Sequence, residues 1–121
     1  MDNDETAALE PMSCALDYEE LLSRLSGNRP FALRILREFL ETTPALLSKL
    51  RECVAMQDTF AAKRHAHSLK GAAATIAAPR LRCVALQAEQ SAAAAAWGHF
   101  DELLPRIEDE LERLGRAIAT A

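Results

Sequence analysis

The sequence predicts an all-α fold, an antiparallel four-helix bundle with a short extra N-terminal helix. Half of the 121 residues are apolar, aromatic residues make up only 5%, and alanine and leucine far outnumber the β-branched residues. This composition favours helix over strand. Apolar residues also recur at three- and four-residue spacing, as on one face of a helix. A chain of this length has room for one hydrophobic core, so we expect one folded domain.

The first 15 residues differ in character from the rest of the chain. Residues 1–15 are acidic, lack apolar periodicity and contain Pro11, so they predict a disordered lead or linker. We therefore expect the folded domain to span residues 16–121.

The first two helices have clear start and stop residues. Asp17 is placed to cap a short helix, with Glu20 at the reciprocal position of a capping box. Gly27 and Asn28 end that helix, and Asn28 before Arg29 and Pro30 is typical of a second helix start.

The second helical segment is long and contains Pro44, which predicts a bend or a split in the rod. Gln57 and Asp58 end it, and Asp58 is placed to cap the third helix. Its apolar face comprises Phe31, Ile35, Phe39 and Leu40 before the proline, and Leu46, Leu47, Leu50 and Val54 after it.

Two further helices complete the predicted bundle. One should run from Pro79 to about Ala96, and the segment WGHF should then form a turn. Pro105 should lie near the first turn of the last helix or bend it. Short connections between amphipathic helices favour antiparallel packing. The last helix buries Leu103, Leu104, Ile107, Leu111, Leu114 and Ile118.

The cysteines and the hydropathy pattern indicate the cellular compartment in which the protein works. The three cysteines, Cys14, Cys53 and Cys83, are an odd number without CxxC spacing, which predicts free thiols in a reducing environment. No apolar run approaches the roughly 20 residues of a membrane span, and the N-terminus lacks the features of a signal peptide. We expect a cytoplasmic protein whose domain makes no membrane contact.

The net charge of -4 conceals a strong asymmetry. The segment from Thr59 to Ala88 contains no acidic residue, whereas the remainder holds 9 basic and 18 acidic residues. A local positive field on an acidic protein predicts an anionic partner or group. Five cations without interleaved aromatic residues are a poor footprint for nucleic acid, so we expect none to bind. The five are Lys63, Arg64, Lys70, Arg80 and Arg82.

Within that segment, His67 faces away from the core on a helical wheel of about 100° per residue. The opposite side of the wheel carries the buried stripe of Ala62, Ala66, Leu69, Ala73 and Ile76. His65 falls about 160° from His67, so we expect it to be a packed or boundary histidine. A shallow, positively charged strip lies within roughly 60° of His67: Lys63, Arg64, Lys70, Gly71 and Ala74.

Gly71 lies one turn after His67, in a helix interior where glycine costs about 1 kcal/mol relative to alanine. A small residue beside the imidazole would let a second protein approach the ring, which is a reason for glycine at this position. Lys70 can place its ammonium on the same face, where it would stabilise a phosphoryl group on the ring.

The segment from Ala66 to Gly71, AHSLKG, resembles the AHxLKG signature of bacterial histidine phosphotransfer (HPt) domains of multistep phosphorelays. The similarity extends from about Leu16 to Leu114 and includes a later helix with Leu81, Ala85 and Glu89 in matching spacing. Relatives favour glycine ten residues after the histidine, where this chain has Ala77. Because of that departure, the sequence does not determine how the helix ends at this point.

The resemblance implies a phosphocarrier. His67 would accept a phosphoryl group from an aspartate of a response-regulator receiver domain and pass it to another receiver. Lys70 would stabilise the phosphoryl group, and Lys63, Arg64, Gly71 and Ala74 would contact the partner. The resemblance further implies that no cofactor is bound, that the receivers supply Mg²⁺, and that a hybrid sensor histidine kinase is among the partners.

The resemblance also implies a role for Glu89, which matches by spacing a Gln or Glu of relatives. Its side chain would hydrogen-bond Nδ1 of the His67 imidazole, so that the ring keeps a proton on Nδ1 and leaves Nε2 free to attack. The chain has no nucleotide-binding loop, so the resemblance implies phosphotransfer without autonomous kinase activity.

The same residues bear on other possible functions. His65 and His67 point about 160° apart on the helix and cannot share one metal ion, so we expect no metal site. A haem or di-metal bundle lacks the paired carboxylate and histidine motifs such sites use. The alternative that stays open is a phosphotransfer-inactive helical module that binds a receiver or another signalling partner. We expect a monomer, since no apolar stripe is left over.

Overall fold

The computed structural model describes residues 14–121, which contain five helices and no strand. We number them α1 (Tyr18–Arg24), α2 (Arg29–Met56), α3 (Thr59–Thr75), α4 (Pro79–Ala93) and α5 (Trp97–Ala119). The all-α prediction is therefore confirmed. The predicted lead at residues 1–15 falls almost entirely outside the described residues.

Three helices begin at the predicted capping residues. The carboxylate of Asp17 accepts from the Glu20 N–H, Asn28 accepts from Phe31, and Asp58 accepts from Ala61, over 3.0 to 3.1 Å. These bonds satisfy backbone donors that the first turn leaves free. The capping box at α1 is only half formed, because the Asp17 N–H donates to the Ala77 carbonyl instead of to Glu20.

Pro44 does not split α2, which runs unbroken from Arg29 to Met56. Of the two alternatives predicted at Pro44, a bend or a split, the split does not occur, because both halves of the rod bury residues in the same core, including Leu36 before the proline and Leu47 after it. The turn before Pro44 gains side-chain hydrogen bonds, since the hydroxyls of Thr42 and Thr43 both donate to the Phe39 carbonyl.

The boundary between α4 and α5 also differs from the prediction. α4 ends at Ala93, and WGHF forms the first turn of α5 instead of a loop. Phe100 is fully buried and packs edge to face with Trp97, with 5.6 Å between ring centroids. Burying Phe100 fixes this segment as helix and places Pro105 well inside α5. Of the two alternatives predicted for Pro105, a position near the first turn or a bend, the first is therefore wrong.

Helices α2 to α5 form a closed bundle in which each helix packs on the next and α5 packs on α2. The connections after α2, α3 and α4 are only two or three residues long, so successive helices run antiparallel. α1 packs against α2 and also ties to the end of α3, because Arg24 donates to the carbonyls of Ala74 and Thr75 at 2.8 and 3.1 Å.

A buried ion pair joins α4 to α5. Arg80 donates through Nε and Nη2 to the two carboxylate oxygens of Glu110, each over 3.0 Å. The Glu110 side chain is 6% exposed, and its hydrogen bond is the main reason that the pKa of Arg80 is raised. The pair fixes how these two helices align, because bidentate geometry tolerates little sliding.

Candidate functional site

His67 lies on the outward face of α3, and 66% of its side chain is exposed. The opposite face of the helix is buried, through Ala62, Ala66, Leu69 and Ala73. The apolar periodicity of the sequence therefore determines where the imidazole points: the core stripe holds the helix in one rotation.

Glu89 reaches His67 from α4. Its Oε2 lies 2.7 Å from Nδ1 of His67, and 15% of the Glu89 side chain is exposed. The two helices pack closely because alanines dominate their facing sides, with Ala85, Ala88 and Ala92 buried on α4. Spacing along the sequence suggested Glu89, and the structure brings it to the ring nitrogen.

Lys70 binds the other oxygen of the same carboxylate. Its Nζ donates to Glu89 Oε1 over 2.7 Å, and its side chain is 23% exposed. The Lys70 hydrogen bond is the largest influence on Glu89 and lowers the pKa of its carboxyl; burial raises that pKa, and the His67 hydrogen bond lowers it again. The carboxylate is therefore ionised at neutral pH.

An ionised carboxylate only accepts hydrogen bonds. Because Glu89 accepts from Nδ1 of His67, the proton of the neutral ring sits on Nδ1. The other nitrogen, Nε2, is then left with its lone pair. The site thus presents a nucleophilic nitrogen on an exposed side chain, backed by an anion that stabilises positive charge on the ring.

The surface beyond His67 towards the end of α3 is open. A Cβ added at Gly71 would meet no atom within 4 Å, so no contact inside the domain requires glycine there. Ala74, one turn further, is partly exposed. At Gly71 and Ala74 the surface beside the ring therefore carries only small residues.

On the other side of His67 lies an open groove of about 750 Å³ between α3 and α4. Lys63 and Arg64, both exposed, contribute the positive charge predicted for this segment. Phe60 was missed by the sequence analysis, although it precedes His67 by about two helical turns on the same face. Its side chain is 68% exposed. The groove is lined by Thr59, Phe60, Lys63, Arg64, His67, Glu89 and Ala93.

His65 lies at the boundary of the core, apart from the exposed strip. It is partly buried, and burial is the main reason that its pKa is lowered, with Arg64 and Lys49 lowering it further. The two histidines of the HAH segment therefore have different surroundings: a water-exposed ring paired with a carboxylate, and a partly buried ring beside cations.

Within residues 14–121, no group of three or more His, Cys, Asp or Glu side chains is arranged to hold a metal ion. In the same part of the chain, no helix is both long and apolar enough to cross a membrane.

The described residues thus form a helical bundle that displays His67 on a central helix, where a carboxylate of the next helix holds its imidazole. The sequence model of the Hpt domain matches residues 34–117, which is more than half of the chain. The chain therefore belongs to the Hpt domain family. Neither the curated proteins nor the solved structures contain a significant match to it.

Proposed function

We propose that this domain is a phosphocarrier in which His67 accepts a phosphoryl group from a receiver-domain aspartate and passes it to a second receiver. Membership of the Hpt family places the domain in histidine phosphotransfer within a phosphorelay. The observation that carries the assignment to His67 is its geometry: an exposed ring whose Nδ1 is engaged by Glu89 while Nε2 is free.

The chemistry follows from that ring. The Nε2 lone pair attacks the phosphorus of the aspartyl phosphate in line; the N–P bond forms, the P–O bond breaks, and the aspartate leaves as a carboxylate. The proton on Nδ1 does not move, so the ring becomes positively charged and Glu89 compensates that charge. In the second transfer an aspartate oxygen attacks phosphorus and the neutral imidazole leaves.

The surrounding residues supply electrostatics and access. Lys70 stabilises the transferred phosphoryl group, and the receivers contribute the Mg²⁺ that neutralises charge in the transition state. Gly71 and Ala74 allow the receiver to approach, while Lys63 and Arg64 attract the acidic surface around its aspartate. Phe60 adds an exposed apolar anchor to this docking face.

The test uses purified receiver domains carrying labelled phosphoryl groups, incubated with the protein and Mg²⁺. Wild-type protein should acquire acid-labile, alkali-stable label, as expected of phosphohistidine. His67→Gln should acquire none, because the amide has no nucleophilic nitrogen. His65→Gln is the matched control and should be labelled like the wild type, since His65 lies outside the exposed strip.

Two outcomes would contradict the proposal. Label retained in His67→Gln would place the chemistry elsewhere. A wild type that binds receivers, shown by calorimetry, but never takes up label would favour a phosphotransfer-inactive binding module.

A further inference from the structure

Two exposed cations beside His67 are not balanced by any nearby charge of the described domain. Lys63 and Arg64 are both exposed, and no carboxylate within residues 14–121 pairs with either of them. Lys70 differs from them, because its ammonium is already bound to a carboxylate of α4 over 2.7 Å. Since α3 contains no acidic residue, the exposed strip around His67 keeps an uncompensated positive charge.

An exposed aromatic ring lies next to these cations. Phe60 is 68% exposed and lines the same open groove of about 750 Å³ as Lys63 and Arg64. An exposed apolar surface rimmed by polar residues is typical of an interaction site. By charge complementarity, the occupant that fits this surface combines carboxylates with apolar side chains.

The first 13 residues of the chain have that composition. Segment 1–13, which precedes the described residues, contains no lysine or arginine and includes alanine, leucine and methionine side chains. The whole chain has 18 acidic and 14 basic residues, so residues 14–121 hold 14 of each, and the segment alone carries the net charge of -4. Its four carboxylates belong to Asp2, Asp4, Glu5 and Glu10.

The chain enters the described domain beside the exposed strip. The Asp17 N–H donates to the Ala77 carbonyl over 2.8 Å, just beyond the end of α3, and Asp17 shares a small surface cleft with Ala74. At 1.5 Å per residue, His67 lies about 15 Å along the helix from Ala77, and Phe60 lies about 25 Å from it. Thirteen extended residues span about 45 Å, so segment 1–13 is long enough to reach both.

We propose that the acidic segment 1–13 binds the exposed strip and the groove beside Phe60, and that it competes with receiver domains for access to His67. Its carboxylates pair with Lys63 and Arg64, and its apolar side chains cover the Phe60 ring. Because the segment belongs to the same chain, its effective concentration at the strip is on the order of millimolar, so weak contacts suffice. The contact itself needs no phosphotransfer, whereas its effect on receivers rests on the proposed function.

The consequence is a salt-dependent reduction in receiver affinity. A receiver must displace the segment, so its apparent dissociation constant rises by the inverse of the uncovered fraction. A strip that is covered two-thirds of the time binds receivers about three-fold more weakly. Because both partners of the contact are exposed charges, added salt weakens the cover.

The test locates the segment in the full-length protein without any partner. A nitroxide spin label is attached to the cysteine of Ala8→Cys, in a background with Cys14→Ser and Cys83→Ser; the remaining thiol, of Cys53, is buried. In about 0.01 M salt the label should weaken the backbone amide NMR signals of the exposed strip. In about 1 M salt, where charges are screened within about 3 Å, this attenuation should largely disappear.

Attachment alone brings the label near α3, so matched variants separate binding from tethering. Replacing the four carboxylates of the segment by amides keeps its length and should reduce the attenuation to the level seen in high salt. Lys63→Gln combined with Arg64→Gln should do the same from the other side of the contact. Arg37→Gln combined with Arg116→Gln removes two exposed cations of α2 and α5 and should leave the attenuation unchanged.

Calorimetry with a purified receiver domain measures the competition. In low salt, the full-length protein with the four amides should bind the receiver about three-fold more tightly than the wild type. The gain should vanish when Lys63→Gln and Arg64→Gln are already present, because the segment then has no charge to cover. A gain of the same size in that background would overturn the competition, since it would reflect only general repulsion between two acidic proteins.

The proposed contact is overturned if the attenuation at the exposed strip is the same for the native segment and for the segment with four amides. Circular dichroism of each variant confirms that the bundle is folded. The phosphotransfer assay stands apart from this result. A wild type that never forms phosphohistidine contradicts the proposed function, whereas the spin-label experiment contains no receiver and is unaffected by it.

Discussion

The carboxyl group of Glu89 links the chemistry of the site to the stability of the domain. Its pKa lies below the usual glutamate range because Lys70 and His67 both bind the ionised form. The unfolded chain lacks these partners, so its Glu89 takes up a proton at higher pH than the folded chain does. Folding stability therefore depends on pH through this residue.

We expect the wild type to be more stable than Glu89→Gln at neutral pH, with the difference shrinking in acid. The stabilisation is fully present above the ordinary glutamate pKa of about 4.3. It is lost as the pH falls through the lower value of the folded protein. Urea unfolding of both proteins at a series of pH values between about 7 and 3 measures the difference.

Glu38→Gln provides the matched control, since Glu38 pairs with Arg34 across an exposed helix face. Its effect should be small at every pH. The difference in unfolding free energy between wild type and Glu89→Gln could instead stay constant down to the lowest pH. That result would show that Lys70 and His67 do not favour the ionised form of Glu89.

Shortly after each of the first four helices, one residue that is not glycine adopts the left-handed backbone conformation. These residues have φ between 51° and 61° and are Ser26, Gln57, Ala77 and Ala95. Ala77 stands where relatives favour glycine, and its backbone adopts the conformation that glycine suits best. The end of α3, which the sequence did not determine, is thus formed by an alanine in a left-handed conformation, and this conformation lowers the stability of the folded protein.

We predict that Ala95→Gly stabilises the protein by about 1 kcal/mol, because glycine relieves the left-handed conformation of an exposed alanine. Ala93→Gly is the matched control two residues earlier, at the exposed end of α4, and should destabilise by roughly 0.5–1 kcal/mol. Urea or thermal unfolding measures both. If Ala95→Gly destabilised as much as Ala93→Gly, strain at Ala95 would be disproved.

The two internal prolines show how packing overrides a helix breaker. Pro105 is exposed on α5, as is Asp101, whose carbonyl would have received the missing N–H bond. Since both residues are at the surface, water can bind that carbonyl instead. On either side of Pro105, Leu104 and Ile107 are buried, so the helix is held to the core through the proline.

The alignment of α4 with α5 depends on the Arg80–Glu110 pair. Arg80→Met should destabilise the protein by about 3 kcal/mol, because it leaves a carboxylate buried without its main partner. Arg113 limits this loss of stability, since its Nε lies 4.0 Å from Glu110 and still offers the carboxylate a positive charge. The double variant Arg80→Met with Glu110→Met should recover most of the loss, as no buried charge then remains.

Arg34→Met is the surface comparison, because its partner Glu38 is 63% exposed and such pairs contribute less than about 1 kcal/mol. Equilibrium unfolding in urea gives all four stabilities. A loss in Arg80→Met no larger than that in Arg34→Met would show that the pair does not bind the two helices together.

Sequence reasoning succeeded where a local rule determines the outcome. Side-chain caps at Asp17, Asn28 and Asp58 follow from residue type and position, and the outward direction of His67 follows from the apolar stripe behind it. Prediction from the sequence failed where contacts between distant residues compete with the local preference for helix or turn. The segment predicted as a turn is helix, because burial of Phe100 outweighs the low helix preference of Gly98 two residues earlier.

The sequence by itself determined the helical class, most helix starts and the face on which His67 lies, because periodicity and capping act over a few residues. Only the folded bundle decided that Lys70 and His67 meet on one carboxylate and that Phe60 borders the same groove. Those contacts join α3 to α4, and their distances depend on how closely two alanine-lined helices pack, which no single helix specifies.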